Sequence, residues 1–299
     1  YATYNGSNPY QTPATLSVIP NLEYNIGAFM PVGGMISITN SLCRLAKELG
    51  VEFRMNEKVE EIVTEDQRAV GIKTAKGIFA FDHVASNMDI RPSYKNLLPQ
   101  IQAPKKLLNQ ERSSSGVIFY WGMNRKFDDL GVHNIFFSDH YKEEFKCIFE
   151  EKTLLDDPTI YLHISSKVAT EDAPEGCENW FILINAPANE GQDWDDLVQK
   201  TKANVIQKIS KCLGIEVEPY IVAEDILDPR SIESRTSSSG GALYGNASNN
   251  KFAAFLRHPN YRSAIKNLYW VGGSVHPGGG IPLCLSSAKI AAKQFQENN

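Results

Sequence analysis

Nowhere in 299 residues does the spacing Gly-x-Gly-x-x-Gly occur. The chain as it stands therefore lacks the turn that lets a backbone and a helix N-terminus close on a pyrophosphate. Cysteine is sparse as well. Cys43, Cys147, Cys177, Cys212 and Cys284 are odd in number and never form Cys-x-x-Cys. That excludes a cysteine-built zinc ribbon and fits free thiols in a reducing, cytoplasmic setting. The six histidines show no ligand spacing either, so no metal site is expected. No uninterrupted apolar run reaches the roughly 18 residues that a membrane-spanning helix needs. Positive charge is in deficit: the net charge is -5, with basic residues scattered along the chain. This excludes the basic footprint of a nucleic-acid binder. A Gly-x-Ser-x-Gly elbow is missing, and Ser113–Ser115 and Ser237–Ser239 sit in polar turns. Nucleophilic serine chemistry has no support.

What is present is a large apolar fraction, 42% hydrophobic residues, enough for one large domain or two modest ones. Residues 1–30 are punctuated by Pro9, Pro13 and Pro20. A helix is predicted over about Met35 to Leu49, with Ile38, Leu42, Leu45 and Leu49 on one face and Gly50 as its stop. Short strands are predicted at Val51–Arg54, Val59–Thr64, Ala69–Thr74, Gly77–Phe81 and His83–Ser86. Farther on, Gly116–Trp121, Thr159–Ile164 and Trp180–Ala186 read as strands. Trp194 to Leu213 reads as a long helix closed by Gly214. Helices alternating with and flanking strands give a mixed α/β fold. Trp121 and Trp270 are read as core.

The densest signal is at the end of the chain. Strand Leu268–Val271 runs into a turn holding Gly272, Gly273, Gly278, Gly279 and Gly280, after which a helix opens near Pro282. Proline suits a first helical turn, whose N–H groups lack partners anyway. Leu285, Ala288, Ala292 and Phe295 follow at helical spacing. Strand, side-chain-free turn and helix N-terminus let a flat or anionic ligand lie against backbone N–H groups. This is the pattern of a cofactor seat.

Val271-Gly-Gly-Ser-Val-His-Pro-Gly-Gly-Gly-Ile-Pro282 closely resembles the C-terminal signature of the phytoene desaturase family, flavoproteins that introduce double bonds into carotenoids. Tyr4-Asn-Gly-Ser-Asn-Pro9, Pro31-Val-Gly-Gly-Met35, Val59-Glu-Glu-Ile62, Ala85-Ser-Asn-Met-Asp89, Glu111-Arg112-Ser113 and Gly240-Gly-Ala-Leu-Tyr-Gly245 are similar to that family's motifs, in its order. The resemblance implies a partial, Rossmann-like FAD-binding domain (residues 29–91 and 263–299). It also implies a substrate domain (1–28 and 92–262) with a mixed β-sheet covered by helices. Members of the family begin with the glycine-rich turn missing here. The chain is thus expected to be the C-terminal part of a longer desaturase and to be inactive alone.

By the same resemblance, FAD would contact Val59, Gly272, Gly273, Ser274, His276, Gly278, Gly279, Gly280, Ile281 and Pro282. The backbone of Val59 would flank the adenine, Gly272–Ser274 the ribityl–phosphate part, and Gly280–Pro282 the flavin pyrimidine edge. His276 is read as fixing the loop rather than as a base, and no catalytic side chain is assigned. Gly33 and Gly34 are equally a helix entry and a flavin contact, and Asn87 and Asp89 equally caps and ligand contacts. Arg112, Arg257 and Tyr244 are candidates for a substrate tunnel, with surface salt bridging the plainer fate of either arginine. Ser286-Ser287-Ala288 stands where many relatives carry Ser-Gly. The implied substrate is an apolar carotenoid or isoprenoid, with membrane-surface contact and self-association through an open sheet edge as further expectations. The alternatives are a related flavin-dependent isoprenoid or retinoid reductase, and a folded but non-enzymatic substrate domain.

Overall fold

The computed structural model describes residues 6–250, 252 and 256–298. Tyr4 and Asn5 of the first motif lie outside them. The first half supplies helices α1 (Val18–Asn25) and α2 (Ile36–Glu48) and strands β1 (Val59–Glu65), β2 (Arg68–Thr74), β3 (Gly77–Ala80) and β4 (Val84–Ser86). Short helices α3 (Ile90–Pro92) and α4 (Lys105–Leu108) follow. Strands β5 (Ser115–Met123) and β6 (His133–Phe136), helix α5 (Tyr141–Lys146), and strands β7 (Ile160–His163) and β8 (Glu178–Ala186) come next. Helix α6 (Trp194–Leu213), strand β9 (Ile221–Leu227), helix α7 (Pro229–Thr236), strand β10 (Leu268–Trp270) and helix α8 (Ile281–Glu297) complete the order.

Strands β1, β2 and β3 form an antiparallel meander. Its first hairpin turns through Asp66 and Gln67, both at positive φ (45° and 59°), as a two-residue loop matching strand twist demands. Strands β4 and β10 pair in parallel, Ala85 opposite Tyr269. Parallel neighbours need a crossover, and here the whole central part of the chain is that crossover. Ile62, Ala69, Ile90, Tyr94, Leu98, Leu268, Trp270 and Val275 pack as the core behind these strands.

The central part forms a five-stranded sheet in the order β6-β7-β8-β5-β9. The resemblance implied a mixed sheet, but every pairing in this one is antiparallel. Each neighbour here enters the sheet from the opposite end, so no parallel crossover is made. Along β8 burial alternates, with Glu178, Trp180, Ile182, Ile184 and Ala186 facing inward. That face is covered by Trp194, Val198, Val205 and Ile209 of α6. Trp121 and Trp270 are core residues, as read from the sequence. Helix α6 has the predicted bounds. Asp193 caps it by accepting from Asp196 N–H at 3.2 Å, and Gly214 ends it in the left-handed region (φ 68°).

Four elements depart from expectation. Helix α2 forms, but no residue in it is buried, and Leu42, Leu45 and Leu49 are 52%, 51% and 76% exposed. Val51–Arg54 is not a strand. Alternating apolar residues make a strand only beside a partner that takes up the backbone hydrogen bonds, and no partner lies there among the described residues. Strand β9 and helix α7 were not foreseen. The former is an edge strand interrupted by Glu224-Asp225, a polar composition that suits an edge. The latter has a reciprocal capping box between Asp228 and Ser231, legible in Asp228-Pro-Arg-Ser231.

Candidate functional site

The turn after β10 is held from three sides. Val271 N–H donates to Ser86 O at 3.0 Å, carrying the parallel ladder one residue past β10. Gly272 N–H donates to Ser287 Oγ at 3.1 Å, and that hydroxyl also accepts from Asn260 Nδ2 at 2.8 Å. Asn260 Nδ2 donates further to Trp270 O at 2.9 Å. Asn260 and Ser287 are 1% and 0% exposed, so this buried amide ties strand, turn and helix α8 together. Nothing in the sequence singled out Asn260, a polar residue in an irregular stretch. Ser274 is also committed to the protein: its hydroxyl accepts from Ile90 N–H at 3.0 Å.

Most of the glycines are explained by protein atoms close by. A Cβ on Gly272 would lie 2.4 Å from Asn87 Oδ1, one on Gly273 3.1 Å from Gly279 Cα, and one on Gly279 2.8 Å from Tyr244 Cα. The turn is thus folded upon itself and against Tyr244. Gly280 differs. It sits at φ 103° with nothing within 4 Å of its Cβ position, and it opens the 17-residue helix α8 with no side-chain cap and no acidic residue in the first turn. The first N–H groups of that helix lack intrahelical acceptors and carry the positive end of its dipole. Ile281 at its start is 51% exposed.

His276 is half-buried, and its backbone N–H, not its ring, makes the loop-fixing bond, to His258 O at 2.9 Å. His258 is the buried histidine of the region. Its Nδ1–H donates to Pro259 O at 2.7 Å, and its Nε2 accepts from the Tyr94 hydroxyl at 3.0 Å. Desolvation pushes its pKa down to about 4, so it is neutral at physiological pH. Arg262 donates to the same tyrosine oxygen at 3.1 Å.

Val59 begins β1 and lines a cavity of about 570 Å³ with Ile62, Ile72, Val84 and Leu97. A second cavity, of about 240 Å³, is lined by Gly245, Gly273 and Ser274, by the apolar Ile232, Ala242 and Leu243, and by the polar Asp89 and Ser238. Asn87 and Thr236 line both. The structure therefore brings Val59 and the Gly273–Ser274 turn to adjoining spaces. Gly278 is packed behind the turn, against Arg257. Asp89 accepts from Arg91 N–H at 3.0 Å as a cap and forms a buried ion pair with Arg112, whose guanidinium also donates to Asn246 Oδ1 at 3.2 Å. Neither Arg112 nor Arg257 has the surface salt bridge read from the sequence, because both side chains are drawn under the turn by carbonyl and carboxylate acceptors. Gly33 and Gly34 lie at positive φ (81° and 75°), and a Cβ there would meet only Ser37 Cβ, 3.9 Å from the Cβ position of Gly33.

An open Gly280, an uncapped helix N-terminus and two adjoining cavities fit a flat, partly anionic ligand such as a flavin nucleotide. Among the described residues no group of three or more His, Cys, Asp or Glu side chains is placed to hold a metal ion. No described helix is long and apolar enough to cross a membrane.

Comparison with known proteins agrees. The model of the flavin containing amine oxidoreductase family matches residues 1–295. The chain is 55% identical over its whole length to a 1-hydroxycarotenoid 3,4-desaturase of Flavobacterium sp. (strain P99-3), spanning 61% of that protein. It is 32% identical to a phytoene desaturase of Neurospora crassa, with 98% of this chain and 52% of that protein covered. Its fold is similar to the crystal structure of an oxidoreductase from Methanosarcina mazei, at TM-score 0.63 and 12% identity, covering 99% of this chain and 62% of the other. The resemblance to carotenoid desaturases drawn from the motifs is thereby borne out, and the chain belongs to the flavin-containing amine oxidoreductase family.

Proposed function

We propose that this chain serves an FAD-dependent carotenoid desaturase and contributes the seat for the flavin. The observation that carries the reading is the meeting of two features. Val59 and the Gly273–Ser274 turn border adjoining cavities, and the one at the turn is also lined by Ile232, Ala242 and Leu243. A flavin seat and a cavity with one apolar stretch of wall thus share a boundary, where Asn87 and Thr236 line both spaces. When bound, FAD supplies the two-electron acceptor for a hydride leaving an sp³ carbon, while the neighbouring carbon loses a proton and conjugation grows by one double bond. The chain's own part is positional. Gly280 leaves room, and the first turn of α8 favours negative charge. In this reading the backbone of Val59 flanks the adenine, and residues 29–91 with 263–299 form the flavin unit. Residues 1–28 with 92–262 then form the substrate unit. The substrate is an apolar carotenoid or isoprenoid, met in the cytoplasm or at a membrane surface.

The test is the visible spectrum of the purified chain after incubation with FAD and removal of excess. Retained flavin absorbance supports the reading; a colourless protein at saturating FAD counts against a self-sufficient seat. A second reading, a folded but inert chain, is favoured by the bare apolar stripe of α2, which leaves the flavin unit without cover on that side. A chain that holds flavin yet never reddens the spectrum of a carotenoid precursor would support it.

A further inference from the structure

Two arginine side chains, Arg112 and Arg257, are drawn into the interior, and one of them meets a carboxylate. Arg112 is paired with Asp89, the two side chains 7% and 5% exposed. Arg91 donates to Gln110 O, while its buried Nε has no hydrogen-bond partner. Arg257, 7% exposed, has no carboxylate within 4.0 Å among the described residues. It donates instead to the carbonyl oxygens of Tyr244 at 3.2 Å and Asn246 at 2.8 Å. Its guanidinium lies against the turn itself, since a Cβ on Gly278 would be 3.0 Å from Nε and 3.2 Å from Cζ.

Carbonyl dipoles solvate a buried cation without neutralising it, so positive charge is in excess here. Desolvation and the nearby Arg112 hold the Arg257 pKa down at about 10, which leaves it charged at neutral pH. The excess lies within a chain whose net charge is -5. Two residues beyond Gly278, the turn ends at the open Gly280 and the uncapped start of α8, a second source of positive potential. Both sources favour negative charge along this stretch of chain.

We propose that Arg257 is the buried counter-cation of the turn, stabilising an anionic group of the bound flavin at Gly278–Ile281. The inference rests on the reading of this turn as a flavin seat. A purely structural arginine, tying Tyr244–Asn246 to the turn, would be indifferent to the charge of the ligand. A counter-cation is not.

The experiment measures equilibrium binding of FAD, riboflavin and inorganic pyrophosphate to the wild type, Arg257→Lys and Arg257→Met, with the melting temperature of each unliganded protein. Arg257→Met is expected to weaken FAD at least about tenfold, and Arg257→Lys by less than about threefold, as loss and retention of a buried charge require. The unliganded Arg257→Met protein should melt no lower than wild type, because an uncompensated charge has gone. Losses confined to FAD and pyrophosphate are expected and place the anionic group on the diphosphate; equal losses for FAD and riboflavin, whose oxidised ring is neutral, overturn the proposal. Wild-type FAD affinity in Arg257→Met overturns the proposal. Equal losses in both variants with lowered melting temperatures also overturn it, by assigning a structural role. Arg257→Gln, which keeps donors for the two carbonyls, takes the place of the methionine if that variant does not fold. A wild type that binds no FAD overturns a self-sufficient seat and this inference together. A wild type that binds FAD beside an unaffected Arg257→Met overturns the inference alone.

Discussion

At the scale of single residues, the glycines of the turn divide into two kinds, and substitution should separate them. Alanine at Gly279 would place its Cβ 2.8 Å from Tyr244 Cα, a backbone atom that cannot swing away. We predict that Gly279→Ala destabilises the fold by about 1–3 kcal/mol, the usual range for overpacking, in denaturant titration. Gly280→Ala meets no protein atom, and its cost is confined to an unfavourable φ. It should lose flavin affinity out of proportion to its loss of stability. His258 offers a pH test. Its folded pKa, about 4, lies below the ordinary value of 6.5 because burial penalises the charged ring. Between those values the unfolded chain binds a proton that the native one refuses. Stability from this site is therefore complete above about pH 6.5 and is lost as pH falls towards 4, by about 3 kcal/mol. His258→Gln should flatten that part of the stability profile relative to wild type. Glu144 acts in the opposite sense. It is 2% exposed and accepts from Thr159 Oγ1 at 2.6 Å, while its Oε1 has no partner, and burial raises its pKa. A raised carboxyl favours the fold at low pH, and that contribution disappears as pH rises through the folded value. Glu144→Gln should therefore gain on wild type at pH 7 and lose that advantage in acid.

At the scale of elements, α6 shows how far local signals reach. Apolar residues at helical spacing, an aspartate in front and a glycine behind define its ends without help from the rest of the molecule. Replacing Gly214, at φ 68°, with alanine should cost about 1 kcal/mol. Asp193→Ala should cost a similar amount, about 1 kcal/mol, and thermal unfolding of the double variant should be close to additive because the sites lie at opposite helix ends. Helix α8 is the contrary case. Leu285, Ala288, Ala292 and Phe295 stand at helical spacing, yet Leu285 and Phe295 are 54% and 41% exposed. Its buried residues are Ser287 and Ala291 instead. Ser287 is held inside by Gly272 and Asn260. Periodicity counts apolar residues on a face, and it has no means of seeing a serine recruited by a distant amide.

At the scale of the whole molecule, apolar surface is unevenly distributed. The central sheet and α6 enclose a continuous core. From Val18 to Met55, by contrast, Phe29, Val32, Leu49 and Met55 are 84%, 99%, 76% and 77% exposed. Strand β4 is bonded along one edge, to β10. Exposed apolar surface and an open strand edge both favour association. We predict concentration-dependent self-association in sedimentation velocity, weakened by Leu45→Lys with Leu49→Lys. A monomer at every concentration would contradict this.

The sequence alone determined what depends on neighbours along the chain: α2 and α6, most of the strands, the glycine-rich turn opening into α8, and the family motifs that mark it. It could not determine whether Val51–Arg54 pairs, because a strand's hydrogen bonds are completed by a partner elsewhere. Nor could it tell glycines packed against Tyr244 and Asn87 from the one that opens to free space, since all five read alike in one dimension. The burial of Arg112 and Arg257, and the Asn260–Ser287 clamp, were decided by tertiary structure. Their acceptors lie outside the local segment in which each residue sits and meet them only when the strands, the turn and α8 are assembled.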